Sequence, residues 1–301
     1  MKKLFIAGHK GMVGSAMLRN CKDYEPIVAE RNQLDLKNQK DVHEFMLETK
    51  PDKVVLCAAK VGGIKANNTH PVRFIYDNLM IQANVIHSAY LAGVNRLLFL
   101  GSTCIYPKFA EQPIKEEYLL SGALEPTNEA YAVAKIAGLK LCEFYRKEYG
   151  VVYHSVMPTN LYGLNDNYHP EHSHVIPGLI RKIHEAKMRG DKTYQIWGSG
   201  APLREFLYVD DLADICYQLL KIDNPPNLVN AGANTEITIL ELAKRIADVV
   251  GFEGEITTGD SSLDGTPRKK TDLTLLNSII KYKETEFQEG LKLAYRDFLT
   301  K

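Results

Sequence analysis

The chain has little that would mark it as secreted, membrane-spanning or nucleic-acid-binding. Its five cysteines (Cys21, Cys57, Cys104, Cys142 and Cys216) are scattered, odd in number and without a C-x-x-C pair, which suits a reducing compartment better than a disulfide framework. No apolar run approaches the roughly 20 residues of a membrane span, and no signal-peptide pattern opens the chain. Charge of one sign is not in excess: Lys+Arg and Asp+Glu each number 37, so no overall field favours nucleic acid or an acidic membrane surface. Internal repeats and low-complexity segments are also missing. These absences lead us to expect a cytoplasmic protein without a structural metal. At 301 residues and 45% hydrophobic, the chain can bury a sizeable core as one large domain or two modest ones.

What is present starts at the N-terminus. The apolar run Leu4-Phe5-Ile6-Ala7 leads into GHKGMVG, Gly8 to Gly14. In such a strand–turn–helix, Gly8 permits the tight turn, Gly11 lets backbone approach a pyrophosphate, and Gly14 lets the helix pack on the strand. The helix N-terminus supplies free N–H groups and partial positive charge to an anion. A glycine triplet is also what an ordinary Gly-rich turn needs, so the rest of the chain must decide.

Short apolar runs alternate with segments of helical period through the first half. We expect strands at 4–7, 27–29, 53–58, 96–100 and 151–157, and amphipathic helices at 41–48, 75–92 and 127–149. This alternation predicts an α/β fold, a Rossmann-type doubly wound parallel sheet covered on both faces. Pro and Gly clusters at 197–202, 224–226 and 264–267 break the second half into shorter elements, as expected of a smaller, discontinuous α/β substrate domain. The division we expect is 1–157 with 205–232 for the cofactor, and 158–204 with 233–301 for the substrate.

Two further motifs carry chemistry. In NEAYAVAKIAGLKLCEFY, Tyr131 and Lys135 are four apart on a predicted helix and so share one face. A lysine beside a tyrosine lowers the phenol pKa and can hold a ribose hydroxyl; a tyrosine stacked on a lysine stem would give the same spacing. In LGSTCIYP, Ser102 and Thr103 fall at the carboxyl end of the fourth strand, the edge where open α/β sheets bind ligands.

Glycine turn, strand-end Ser/Thr and Tyr-x-x-x-Lys in this order resemble the extended short-chain dehydrogenase/reductase family, which acts on nucleotide sugars. AKVGGIKANN, GSTCIYPK, LEPTNEAYAVAKIAGLKLCE, MPTNLYG, SHVIPGLI, WGSG, REFLYVDD and DGTPRK are similar to the branch that epimerises GDP-4-keto-6-deoxy-mannose at C3 and C5 and reduces C4. The match spans nearly the whole chain. It implies Cys104 as the base that removes the C3 and C5 protons and His174 as the acid that returns them. It implies Tyr131 as proton donor to the C4 oxygen, Lys135 as support for Tyr131 and the nicotinamide ribose, and Ser102 as hydrogen-bond donor to the oxyanion. Cys104 could otherwise be a small buried hydrophobe. His169 and His172 read as solvated loop residues, since HPEHSH lacks the fixed spacing of a helical metal pair.

For the cofactor the resemblance implies contacts from Gly8, His9, Lys10, Gly11, Met12, Val13 and Gly14, from Arg31, Asn32, Leu34 and Leu36, and from Leu100, Gly101, Ser102 and Thr103. Lys135, Pro158, Thr159, Asn160, Leu161 and His174 complete the set. Lys10 and Arg31 favour NADP(H), while Glu30 beside Arg31 leaves NAD(H) open. For the GDP end of the substrate it implies Lys182, Trp197, Arg204 and Arg268, with Arg181 able to replace Lys182. A homodimer pairing through the helices near 72–92 and 127–149 is implied too. Rivals differ at few positions. A C4 reductase of a related heptose would share every cofactor motif and could retain Cys104 and His174 as well; a 4,6-dehydratase would carry an Asp-Glu pair where this chain has Cys104-Ile105; a 4-epimerase would not need Cys104 and His174; a silent NADP-sensing scaffold would not need Tyr131 and Lys135.

Overall fold

The computed structural model describes residues 1–301 except the side chains of 64 and 65, which belong to the AKVGGIKANN segment. Six parallel strands form the main sheet: β1 (Lys2–Ala7), β2 (Tyr24–Ile27), β3 (Lys53–Leu56), β4 (Arg96–Leu100), β5 (Val152–Pro158) and, after β6 (Asn160–Tyr162), β7 (Thr193–Gln195), β8 (Leu203–Arg204) and β9 (Phe206–Tyr208), the edge strand β10 (Leu228–Ala231). Their order across the sheet is β2-β1-β3-β4-β5-β10. The chain therefore reverses direction between β1 and β3, and the turn after β1 lies at that crossover, where doubly wound sheets open a crevice.

Strand β1 shows why the sheet is covered on both sides. Leu4 and Ile6 belong to one buried cluster and Phe5 and Ala7 to another, the period-two alternation of a strand buried on both faces. Helices α1 (Met12–Arg19), α7 (Val209–Leu219) and α9 (Thr274–Ile279) close the first face. The second is closed by α2 (Gln39–Thr49), α4 (Pro71–Leu91) and α5 (Glu129–Tyr149), with the short α3 (Ile64–Thr69) before α4. Pro71 opens α4, where its missing N–H costs nothing, and Gly150 ends α5 at φ 72°. A third cluster joins α6 (Val175–Arg189), α8 (Ile239–Val250) and α10 (Phe287–Phe298). Beside it run the small pairings of β11 (Ile237–Thr238) and β13 (Arg268–Lys269) on β8, and of β12 (Glu255–Thr257) on β7.

The expected α/β fold with a parallel doubly wound sheet is what the chain adopts. One strand is displaced: expected at 27–29, β2 occupies Tyr24–Ile27, in register Lys2↔Tyr24 to Phe5↔Ile27 with β1. It is an edge strand, so it tolerates Pro26, and Val28, which suggested the later start, is 39% exposed. The helix expected at 127–149 begins with a 3₁₀ turn over Pro126–Asn128. Among the described residues no helix is long and apolar enough to cross a membrane.

His154 on β5 is fully buried. Burial first, and then the nearby Arg96, pushes its pKa down to about 3, with Arg146 and Lys53 acting in the same sense. The folded protein thus holds it neutral while the unfolded chain takes up a proton below the usual value of 6.5. Between those values stability falls as pH falls, by up to about 1.4 kcal/mol per pH unit. The denaturation midpoint of His154→Leu should therefore drop less between pH 7 and pH 5 than that of the unchanged protein; equal drops would refute this assignment.

Candidate active site

The turn after β1 is built by close backbone contact. Gly8 has φ +88°, and a Cβ there would come within 2.7 Å of Ala58 backbone. A Cβ on Gly14 would lie 2.1 Å from the Gly8 carbonyl oxygen. Gly11 differs: its Cβ would meet only that same oxygen, at 3.5 Å, so open space adjoins it. Gly11 caps α1 without a side-chain partner, and no acidic residue stands in the first turn. The first N–H groups of α1 thus face an open glycine cradle, which fits a pyrophosphate. Met12 and Val13 turn into the core beneath it, and His9 is half-buried in the turn.

Beside the turn, Lys10 and Glu30 form an ion pair at 2.6 Å. Lys10 lowers the Glu30 pKa by hydrogen bond and charge. Arg31 and Asn32 are exposed, Leu34 is buried and Leu36 half-buried against the same cluster. The acid that left NAD open therefore engages the cation that favoured NADP.

At the carboxyl end of β4, Leu100 and Gly101 are buried; a Cβ on Gly101 would lie 2.0 Å from the Met157 methyl. Ser102 accepts a hydrogen bond from the Cys104 N–H at 3.4 Å and caps a 3₁₀ turn over Thr103–Ile105. Across from it on α5, the buried Lys135 ammonium donates to the Leu100 carbonyl at 2.7 Å and lies 5.8 Å from the Tyr131 ring centre. The Tyr131 ring meets Phe74 edge-on at 6.5 Å.

The electrostatics of this group are dominated by burial. It pushes the Tyr131 phenol up, with Cys104 adding in the same direction, and brings Lys135 down to about 8. The phenol is thus raised and not lowered as the four-residue spacing led us to expect: removal from water dominates, and the Lys135 ammonium is committed to the Leu100 carbonyl. Burial also raises the Cys104 thiol, opposed first by the charge of Lys269, then by the Ser102 hydrogen bond and Lys135. Cys104 therefore acts on both Tyr131 and Lys135.

His174 comes from a different element, the N-cap of α6. His174 is exposed, and the protein packed around it lowers its pKa, which favours the neutral imidazole. Among the described residues it makes no hydrogen bond to Ser102, Cys104, Tyr131 or Lys135. The loop carrying it does reach their side of the cleft: a Cβ on Gly63 would lie 3.5 Å from the Ser173 carbonyl, and α3, which follows Gly63, packs on the 126–128 turn before Tyr131. Pro158 and Thr159 are buried at the end of β5, Asn160 is exposed and Leu161 half-buried.

The residues expected at the GDP end are brought together in part. Trp197 is 81% exposed, and the Lys182 ammonium lies 4.9 Å over its ring. Arg181 is committed elsewhere, to Glu185 at 2.7 Å and the Tyr168 carbonyl at 3.1 Å. Arg204 is half-buried, which lowers its pKa. Arg268 is held in a two-pronged pair with Glu236, 2.9 Å from Nε to Oε1 and 2.8 Å from Nη2 to Oε2. The next residue, Lys269, acts on Cys104 through its charge more strongly than Lys135 does. Sequence reasoning missed it; alternation along the PRK segment was the available signal. It also missed Asn128, whose side-chain oxygen is buried without a hydrogen-bond partner among the described residues, one turn before Tyr131.

Comparison with known proteins shows the family. Residues 4–232 match the model of the NAD dependent epimerase/dehydratase family. A GDP-L-fucose synthase of Escherichia coli (strain K12) is 50% identical over 310 residues, covering 99% of this chain and 97% of that protein. The crystal structure of a GDP-L-fucose synthetase from Naegleria fowleri bound to NADP has a TM-score of 0.91 at 28% identity, covering 99% of this chain and 93% of the other. A GDP-mannoheptose C4 reductase from Campylobacter jejuni with NADP bound has a TM-score of 0.88 at 35% identity, covering 99% and 98%. The chain belongs to the NAD dependent epimerase/dehydratase family.

Proposed function

We propose that this protein epimerises GDP-4-keto-6-deoxy-D-mannose at C3 and C5 and then reduces C4 with NADPH, giving GDP-L-fucose. The observation that carries the reading is the placement of Cys104 in the turn after β4, its N–H on the Ser102 hydroxyl at 3.4 Å, where Lys135 reaches the Leu100 carbonyl at 2.7 Å. Half-identity over nearly the full length to the Escherichia coli GDP-L-fucose synthase supports the same substrate.

In the substrate, the C4 ketone makes the hydrogens on C3 and C5 acidic. Cys104, as thiolate, removes each proton, while Ser102 and Tyr131 donate hydrogen bonds to the enolate oxygen. His174 returns the proton from the opposite face, completing inversion. NADPH supplies the hydride that reduces C4. Tyr131 gives its proton to the resulting oxygen, and Lys135 holds the phenol in place while staying anchored to the Leu100 carbonyl.

The cofactor's pyrophosphate fits the Gly8–Gly14 turn, and Lys10 and Arg31 suit the 2′-phosphate of NADP(H) rather than NAD(H). Residues 1–157 with 205–232 hold the cofactor; 158–204 with 233–301 hold the nucleotide sugar, with Lys182, Trp197 and Arg204 at its GDP end and Arg268 flanking them. Val72 and Tyr76 on α4 and Val133 and Phe144 on α5 are exposed apolar residues, which suits a homodimer paired through these helices. The five free thiols suit work in the cytoplasm. The likeness to the Campylobacter heptose enzyme favours a second reading, reduction of a GDP-4-keto heptose without epimerisation.

Product stereochemistry separates the two. NMR of the product formed from GDP-4-keto-6-deoxy-mannose and NADPH should show inversion at C3 and C5; a manno-configured product would leave only the reductase. Tyr131→Phe should slow reduction by ~10²-fold or more while sparing NADPH affinity, and Cys104→Ser should abolish deuterium wash-in at C3 and C5 in heavy water. For the cofactor cradle, Gly11→Ala should leave the fold intact but fill the space beside the helix N-terminus. NADPH binding, followed by its fluorescence, should weaken at least about tenfold, or ~1.4 kcal/mol; an unchanged Kd would place the pyrophosphate elsewhere.

A further inference from the structure

Glu205 carries a fully buried carboxyl group that none of the steps above uses; burial raises its pKa, and the hydrogen bonds of Thr271 and Ala233 and the charge of Lys270 oppose that rise. It sits between β8 and β9, and burying it demands donors for its lone pairs. Two separate segments provide them. The Ala233 N–H donates to one oxygen at 2.8 Å and the Thr271 N–H to the other at 2.8 Å, while the Thr271 hydroxyl stands 2.9 and 3.1 Å from the two. Gly232 makes the room, since a Cβ there would lie 1.7 Å from Glu205 Oε1. The Glu205 carbonyl in turn accepts from the Asn160 amide at 3.1 Å and the Thr159 hydroxyl at 3.4 Å. One residue thus ties the 159–160 segment, the end of β10 and the 268–272 segment together.

That last segment is stitched on its other side to the loop that follows Cys104. The Ile114 N–H donates to the Lys270 carbonyl at 2.7 Å, the Asp272 N–H to the Ile114 carbonyl at 2.8 Å, and the Lys270 N–H to Gln112 Oε1 at 2.7 Å. The Lys270 ammonium goes to the Asn234 carbonyl at 2.8 Å, so alternation sends Lys269 and Thr271 to the opposite face. Lys269 is also in register with Arg204. It is therefore held between the arginine of the GDP end and the Cys104 loop.

We propose that Glu205 is a positioning residue for epimerisation: by clamping Thr271 it holds the Lys269 ammonium where it favours the Cys104 thiolate. The inference rests on the reading of Cys104 as the epimerase base. A carboxylate is required because its oxygens face N–H and O–H donors only; a glutamine would turn its own NH₂ toward one of them. The groups acting on Cys104 are Lys269 and Lys135, with Tyr131 beside it; those acting on Lys269 are Cys104, Arg204 and Glu125, the last also paired with Lys108 at 3.0 Å.

The test is deuterium wash-in at C3 and C5 of GDP-4-keto-6-deoxy-mannose with NADP⁺ present, so that no reduction occurs, followed against pH. Exchange in the unchanged protein should rise with pH along a limb set by the thiol. Glu205→Gln should move that limb up by about one pH unit and slow exchange at pH 7 about tenfold, with NADPH affinity within about twofold of the original. Lys269→Met should move it the same way, and the double variant should move it no further, since both act through one charge. Thr271→Ser, which keeps both donors, should retain the original limb. Should Glu205→Gln fail to fold, Thr271→Val, which deletes only the hydroxyl, should still shift the limb upward. A variant that slows exchange without moving its limb, or a limb indifferent to Lys269, would overturn the proposal. Exchange that persists in Cys104→Ser would instead overturn the epimerase reading itself.

Discussion

The rest of the molecule depends on how closely the backbone approaches itself where the sheet changes direction. Gly14 packs so near the Gly8 carbonyl that no side chain fits between them, and Gly8 is held equally tightly against Ala58 after β3. These two contacts fix where α1 begins relative to β1 and β3. They aim its free N–H groups across the crevice at the carboxyl edge of the sheet, where β4 delivers Ser102 and Cys104. Moving the helix outward by the width of one methyl group would shift the anion site away from that edge. On the proposed reading, glycines that never touch the reacting atoms set how far the cofactor's hydride lies from the substrate.

The second constraint is burial at that edge. Tyr131, Cys104 and Lys135 are each pushed toward their neutral forms by removal from water, which would leave the site inert if each stood alone. They are held in mutual range instead, so the charge that one acquires is met by another. A thiolate at Cys104 is opposed by burial and favoured by Lys269 and Lys135; a proton on Lys135 is in turn favoured by that thiolate. Charge is cheap here only as a pair, and the pair forms without a large reorganisation of solvent.

Much of this was legible in the sequence because it is local. The glycine turn, the strand Arg96–Leu100 and the four-residue spacing of Tyr131 and Lys135 are each written within a few residues, and their order along the chain carries the family resemblance that gave them a role. Strand β2 was misplaced because its start is set by pairing with β1, not by its own apolar residues. Lys269 and Glu205 were invisible for a stronger reason. Their partners lie at Cys104, Ala233 and Thr271, and nothing in a charged residue's neighbours in sequence says that its lone pairs will be met by backbone from two distant segments. The sign of the shift at Tyr131 was likewise unreadable, since spacing shows which groups are adjacent but not how much water has been removed from both.

The elevated phenol also bears on the order of the two reactions. Reduction destroys the carbonyl that makes C3 and C5 acidic, so inversion has to precede it, yet on the proposed reading Tyr131 and Ser102 serve the same oxygen in both. An enolate oxygen is a weaker base than the alkoxide left by hydride addition. A phenol held above its ordinary pKa by burial keeps its proton against the weaker base, donating only a hydrogen bond, and releases it to the stronger one. On the proposed reading, the burial that raises the phenol is what lets a single hydroxyl polarise the substrate repeatedly during epimerisation and protonate it once, at the end.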